Sequence, residues 1–455
     1  LTDPIDPTYV TNDRSSVSET FGVPMSTRRE VLVLASGAAI AGAAIPQLVH
    51  AGGRDDGWNA GGRDDGWHTT WAAAPTTVPP GTPLTLADQT VRQVAHLSVG
   101  GNRIQLRLTN EFGTTPLRIG EVRVAIRAGA GASTDARSGS DRPVTFGGRS
   151  SVTVPAGAPL VSDPIALSVR GGDDLLVSIH LPEPTPVTTV AAFAFQQNAL
   201  ATGNVTAARR ITPTGTITQY LFLSGISVHG GAGTVVTLGD SITNGANTET
   251  NANHRWPDRL AARFRATGIR LGVANVGVSG NRLLHDPNPP AGSPAEAYAA
   301  YFAQSGLRRF DRDVLAQPGA THLVVLLGVN DLGHPGTAAP PGEVVSADDL
   351  IWGHRQLITR ARQAGLRAYG ATILPFKDDT LGFYNPENER KRSALNSWIR
   401  TSGEYDGVID FDAAVRDPAD PLRLAAAYDS GDHLHPNDAG MAAMAAAVPL
   451  HLFKS

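Results

Sequence analysis

The last half of the chain constrains its fold most. From Thr234 onward, short continuous apolar runs alternate with helix-length segments, a pattern that only a parallel sheet covered on both faces accommodates. Val235 to Leu238 reads as a first buried strand, Leu271 to Val276 and His322 to Leu327 as the second and third, Leu366 to Ile373 as the fourth, and Gly407 to Phe411 as the fifth. Between them Trp256, Leu260 and Phe264 recur at helical spacing after Pro257, which suits a first turn. Ser346 and Asp349 form a capping-box signature for a helix from about Ala347 to Gly365. Pro386 opens another helix that ends near Gly403, and Asp438 to Val448 closes the pattern as an Ala-rich helix.

The preceding stretch has a different period. From Trp71 to about Gly230, short alternating strands are punctuated by Gly, Pro, Asn and Asp; Ile104, Leu106 and Leu108 alternate with Arg103, Gln105 and Arg107. Thr90 to Val99, Arg103 to Thr109, Leu117 to Ile126, Val152 to Pro155 and Leu175 to Leu181 are the clearest strands, and no segment has helical period and length. This predicts an all-β, jelly-roll-like sandwich over 71–230, joined through a Gly-rich linker (Ser227 to Gly233) to an α/β domain over 234–455. Two such domains suit the 455 residues. Residues 52–70, with a doubled Gly-Gly-Arg-Asp-Asp-Gly-Trp motif, are too few repeats for a solenoid and read as a linker.

Residues 1–51 read as an extension and targeting segment. Arg28 and Arg29 precede the apolar run Val31 to Pro46, and Val49-His50-Ala51 resembles a signal-peptidase site. Paired arginines before an Ala/Gly-rich run resemble a twin-arginine signal, and the run is shorter than the ~20 residues of a membrane span. Met25 would give such a signal a compact start. The expectation is a secreted protein with no stable membrane anchor after cleavage. A formal net charge of −4, with charges dispersed, offers no basic field for nucleic acid. The absence of cysteine excludes disulfides, thiolate catalysis and zinc-thiolate sites.

Open α/β sheets bind ligands beyond the carboxyl ends of their strands. The first strand ends in Gly239-Asp240-Ser241, the second leads to Ser279-Gly280-Asn281, the third to Gly328-Val329-Asn330-Asp331, and the loop before the last helix holds Asp432-His433-Leu434-His435-Pro436. These types suit acyl transfer. A serine hydroxyl needs a base, an imidazole supplies one, and a carboxylate orients the imidazole. Ser241 is the candidate nucleophile, His435 the base and Asp432 its orienting carboxylate; His433 is the competing base, and Asp429 or Asp438 the competing carboxylate. The N–H groups of Ser241 and Gly280 and the amide of Asn330 are candidate oxyanion donors. Asp331 reads as structural, and His254, His285 and His334 as loop residues near the same edge. Ser241 alone would more often be a helix cap. Gly-x-Ser-x-Gly, His-Glu-x-x-His, Walker and complete dinucleotide motifs are absent.

The four segments, in order, resemble the blocks of the SGNH (GDSL) hydrolase family: Ser241, Gly280, Asn330 and His435 match its four naming residues, and Asp432 its Asp-x-x-His spacing. Ile242 stands where the nickname has leucine. The resemblance covers Thr234 to the C-terminus. It implies a three-layer α/β/α, flavodoxin-like domain without metal or organic cofactor, acting on a small-molecule or polysaccharide ester. A β-rich domain ahead of such a domain also resembles secreted actinobacterial esterases of the family, some of which deacylate plant polysaccharides. A lipase or phospholipase and a noncatalytic glycan-binding protein are the alternatives.

Overall fold

The computed structural model describes residues 66–81 and 83–454. The targeting segment and most of the expected 52–70 linker lie outside the described residues. No described helix is long and apolar enough to cross a membrane.

The first half forms two main antiparallel sheets, with three two-stranded antiparallel ribbons beside them. The smaller comprises β1 (Trp67–Ala72), β3 (Ile104–Thr109), β6 (Pro159–Val161) and β10 (Leu223–His229), in the order β1-β10-β3-β6. The larger comprises β2 (Gln89–His96), β4 (Glu121–Ile126), β5 (Arg142–Val144), β7 (Asp174–Leu181), β8 (Asn198–Thr202) and β9 (Gly215–Ile217), in the order β9-β8-β2-β7-β4-β5. Period-2 patterning supplies the reason: Ile104, Leu106 and Leu108 of one sheet share a buried core with Val122, Val124, Leu175, Val177 and Ile179 of the other.

Three details differ from the sequence reading. β1 starts at Trp67, inside the stretch expected as linker, because it pairs with β10 from Trp67↔His229 to Ala72↔Gly225. Ser227 to His229, expected as linker, are the end of β10, which leaves only residues 230–233 as the connection. The strand expected over Leu117 to Ile126 divides at Gly120, where a Cβ would lie 2.7 Å from His180 Nδ1. Leu117–Ile119 pairs instead with Val152–Val154.

The second half is a five-stranded parallel sheet of β11 (Thr234–Gly239), β12 (Gly272–Asn275), β13 (Ala320–Leu326), β14 (Arg367–Ala371) and β15 (Gly407–Ile409), in the flavodoxin-like order β12-β11-β13-β14-β15. Its helices include α1 (Ser241–Asn244), α2 (Trp256–Thr267), α3 (Ala347–Gln363), α4 (Pro386–Thr401) and α5 (Asp438–Ala447). Alternate residues of each strand feed opposite cores. Val236, Leu238, Leu323 and Val325 pack with Leu350, Leu357, Leu395 and Ile399 of α3 and α4. Val235, Val324 and Leu326 pack with Trp256, Leu260, Phe264, Met441 and Met444 of α2 and α5. This is the three-layer α/β/α arrangement. The Ser346–Asp349 capping box forms as its spacing predicts, with both reciprocal bonds present. Residues 282–312 include a short helix, Gly306–Phe310, that continues as a π-turn. Leu307, Phe310 and Val314, at intervals of three and four, line the face that it buries against the sheet.

The sandwich covers the open edge of the parallel sheet. β12 is an edge strand, and an exposed edge leaves backbone groups unpaired. Ser98 Oγ accepts from Val273 N at 2.9 Å, and Thr69 N donates to Thr234 Oγ1 (2.9 Å) and to the Pro318 carbonyl (3.0 Å). The approach is close enough that a Cβ on Gly272 would stand 2.0 Å from the Thr69 carbonyl oxygen. Gly272→Ala is therefore expected to destabilise the protein by about 1–3 kcal/mol, the usual cost of overpacking. Chemical denaturation of the variant checks this; an unchanged midpoint would remove the interface from the account of stability.

Candidate active site

β11 lies at the point where the chain turns first to β12 on one side and then to β13 on the other, so the loops after these strands meet above a crevice. Gly239 permits the turn out of β11: a Cβ there would lie 2.1 Å from Thr243 Oγ1. Asp240 caps α1, its carboxylate accepting from Ile242 N at 3.0 Å. Ser241 is the first residue of α1, and an N–H there has no intrahelical acceptor. The cap reading of this site thus falls to Asp240, and the Ser241 hydroxyl is left to another partner.

That partner is His435. Its Nε2 lies 2.8 Å from Ser241 Oγ, and its Nδ1 lies 2.6 Å from Asp432 Oδ2. A carboxylate at Nδ1 holds the proton there and leaves Nε2 to accept from the serine hydroxyl. Ser241 and His435 are both buried. Asp432 is fixed from several directions: Oδ1 accepts from the N–H groups of Leu434 and His435, and Oδ2 accepts from Asn247 Nδ2 at 2.9 Å. Burial pushes this carboxyl up, but its hydrogen bond to His435, the imidazole's charge and the backbone N–H groups outweigh burial and hold it well below the usual carboxylate range.

The competitors are placed elsewhere. His433 has a left-handed φ of 60°, is exposed and pairs with Asp429 at 2.5 Å. Asp438 pairs with His254 Nδ1 at 2.5 Å and accepts from the backbone N–H of Glu249, whose exposed carboxylate lies within 4.8 Å of the other two groups. His285 is half-buried. His334 is buried between Phe302 and Phe383, and desolvation lowers its pKa to about 3. Asp331 holds backbone, accepting from Leu283 N (2.7 Å) and Leu284 N (2.9 Å), and burial raises it to about 6.

Two of the candidate oxyanion donors, Gly280 and Asn330, are joined by a network that the sequence did not reveal. Gly280 has φ 74°, and a Cβ on it would lie 2.2 Å from the Phe302 ring, so no larger residue fits. Asn330, buried, donates one Nδ2 hydrogen to the carbonyl of the next residue, Asn281, at 3.0 Å, which leaves its second N–H. Asn281 in turn donates to the Phe302 and Gln304 carbonyls. Beneath them lies Arg309, fully buried in the short helix Gly306–Phe310. It donates to Asn281 Oδ1 (3.0 Å), to the carbonyls of Val276 (2.7 Å) and Gly239 (3.0 Å), and to Asp313 (3.1 Å). Desolvation lowers its pKa and Asp313 opposes that shift. Arg309 four residues before Asp313, among the apolar Leu307, Phe310 and Val314, was the available sequence signal.

Asp240, next to the nucleophile, is fully buried. Desolvation raises its carboxyl to about 7, against the Ile242 N–H and the nearby imidazole of His435. An unfolded aspartate titrates near 4. Between pH 4 and about 7 the native state therefore holds a proton that the unfolded chain has lost, and stability falls as pH rises through this window. Asp240→Asn, which keeps a capping oxygen, is expected to remove this fall, on the order of a few kcal/mol. Denaturation midpoints measured from pH 4 to 8 test it; parallel profiles for the two proteins would refute the assignment.

No curated protein matches the chain. Among solved structures, the native aryl esterase of M. smegmatis is similar at 18% identity and TM-score 0.36, covering 48% of this chain and 96% of its own. A carbohydrate acetylesterase family member from Sinorhizobium meliloti is similar at 18% identity and TM-score 0.35, covering 48% and 95%. A GDSL-like lipase from Bacteroides thetaiotaomicron is similar at 18% identity and TM-score 0.33, covering 48% and 87%. The family evidence is in the sequence itself: residues 237–443 match the GDSL-like lipase/acylhydrolase family. The chain thus carries a GDSL-like lipase/acylhydrolase domain and is, by that domain, a carboxylic ester hydrolase.

Proposed function

We propose that the protein is an exported serine esterase that cleaves its ester through an acyl-enzyme on Ser241. The observation that carries this reading is the continuous hydrogen-bonded line from Ser241 Oγ through His435 to Asp432. In the first half-reaction Ser241 Oγ attacks the ester carbonyl while His435 Nε2 takes its proton. Asp432 stabilises the imidazolium, and the tetrahedral oxyanion is received by the N–H groups of Ser241 and Gly280 and the free N–H of Asn330. Collapse expels the alcohol, protonated by His435. Water, activated by the same imidazole, then attacks the acyl-serine and releases the acid.

The alcohol part is proposed to be carbohydrate, so that the substrate is an O-acetylated or hydroxycinnamoylated saccharide. The export-type N-terminus and the β-sandwich packed against the catalytic sheet support this by analogy of architecture. A lipase-type reading differs in the acyl length it prefers. Ser241→Ala is expected to lower hydrolysis of p-nitrophenyl acetate by at least about 10⁴-fold. Across a p-nitrophenyl ester series the wild type is expected to peak at short acyl chains and to release acid from acetylated or feruloylated polysaccharide. Unchanged hydrolysis by the variant overturns the nucleophile, and a maximum at long chains overturns the carbohydrate assignment.

Export through the twin-arginine route is proposed from Arg28 and Arg29. Protein recovered from the medium is expected to begin at or near residue 52, and Arg28→Lys with Arg29→Lys to abolish its appearance there. Undiminished export of that variant would refute the route.

A further inference from the structure

The segment 191–197 of the sandwich has a backbone that bulky side chains rarely adopt. Phe193 has φ 55° and Phe195 φ 49°, in the left-handed region that disfavours residues of this size. Such conformations persist where the surroundings over-determine them, and they cluster at ligand sites. Here the over-determination comes from the catalytic domain. Asn244 Nδ2 donates to the Phe193 carbonyl at 3.2 Å, Arg255 donates to the Ala194 carbonyl, and Asn251 N donates to the Phe195 carbonyl at 3.0 Å. Asn251 Oδ1 accepts from Gln196 Nε2 and Gln197 N, both at 2.7 Å.

Asn244 is three residues after Ser241 in α1, so the two side chains share a helix face, and the same Asn244 amide donates to Ser279 Oγ at 3.0 Å, beside Gly280. The Phe193 carbonyl is therefore tied to a residue about one helical turn from the nucleophile, on the side of Ser279 and Gly280. Phe193 is 37% exposed, and its ring meets Tyr301 edge to face, with centroids 5.9 Å apart. Tyr301 adjoins Phe302, whose ring covers Gly280, and Phe302 packs against the exposed Tyr298 at 5.5 Å. Aromatic rings from two domains thus run outward from the candidate oxyanion site.

We propose that Phe193, contributed by the β-sandwich, is a specificity-determining residue that, with Tyr298 and Tyr301, receives a planar aromatic ring of the ester substrate. The strain and the exposure then have one explanation: a ring is presented to the ligand at the domain boundary rather than buried in either core. The inference rests on Ser241 as nucleophile. It makes the sandwich part of the active site.

The test uses the full-length protein and Phe193→Asn, because asparagine tolerates positive φ and removes the ring. Rates are measured on phenyl acetate against ethyl acetate, which places the ring on the alcohol, and on ethyl benzoate against ethyl propanoate, which places it on the acyl group. The expected result is a rise in KM and a loss of about 5- to 10-fold in kcat/KM for one ring-bearing ester, with its ringless counterpart within about two-fold. Phe193→Tyr is expected to restore the preference. An alcohol-side or an acyl-side loss each supports the proposal and says where the ring belongs. Equal change on all four esters, or no change on any, overturns it. A Ser241→Ala variant assayed alongside separates the two claims: retained activity there defeats the nucleophile, whereas loss there with a neutral Phe193→Asn defeats this inference alone.

Discussion

One buried guanidinium holds the catalytic edge together. Arg309 donates to the carbonyls that end β11 and lie just beyond β12, and to the side chain of Asn281 between Gly280 and the loop it organises. A charge taken fully out of water is tolerated only when paired and hydrogen bonded, and Asp313 with three neutral acceptors meets that condition. The consequence is geometric. Loops leaving two parallel strands would otherwise be free to diverge, and here both are tied to one planar group, which fixes where Ser241 and Gly280 stand relative to each other.

The second constraint is the open edge of the parallel sheet. β12 has only one strand neighbour, and the sandwich supplies the missing partners through Ser98 and the close passage of Thr69. Attachment at that edge brings the segment 191–197 alongside α1, because β12 and α1 are both neighbours of β11. The same packing that satisfies backbone groups thus brings sandwich residues to the rim of the crevice. Structural and functional roles of the first domain have a common origin in the edge that it covers.

Much of this was legible in the chain. Continuous apolar runs alternating with helical periodicity required a doubly covered parallel sheet, and Pro257, the Ser346–Asp349 box and Pro386 marked helix starts that the structure reproduces. Gly-Asp-Ser and Asp-x-x-His stood out because the acceptable residues at a tight turn and around an imidazole are few. The short helix holding Arg309 was missed because five residues give too brief a period to separate from loop. The early start of β1 was missed because Trp67 closes a Gly-rich repeat that reads as linker, and the strand's pairing partner, β10, lies more than 150 residues away.

Sequence by itself determined the two architectures and the residue types set at each strand end, since period and turn chemistry are local properties of the chain. Tertiary structure alone decided where the imidazole favoured by the Asp-x-x-His spacing stands, with His435 against Ser241 and His433 turned away, that Asp240 takes the helix cap, and that Phe193 reaches the nucleophile helix. The Asp-x-x-His spacing favours His435 over His433, but no spacing places a ring. The two rings part where the backbone turns, at His433's left-handed φ, which sends one to solvent and the other into the crevice.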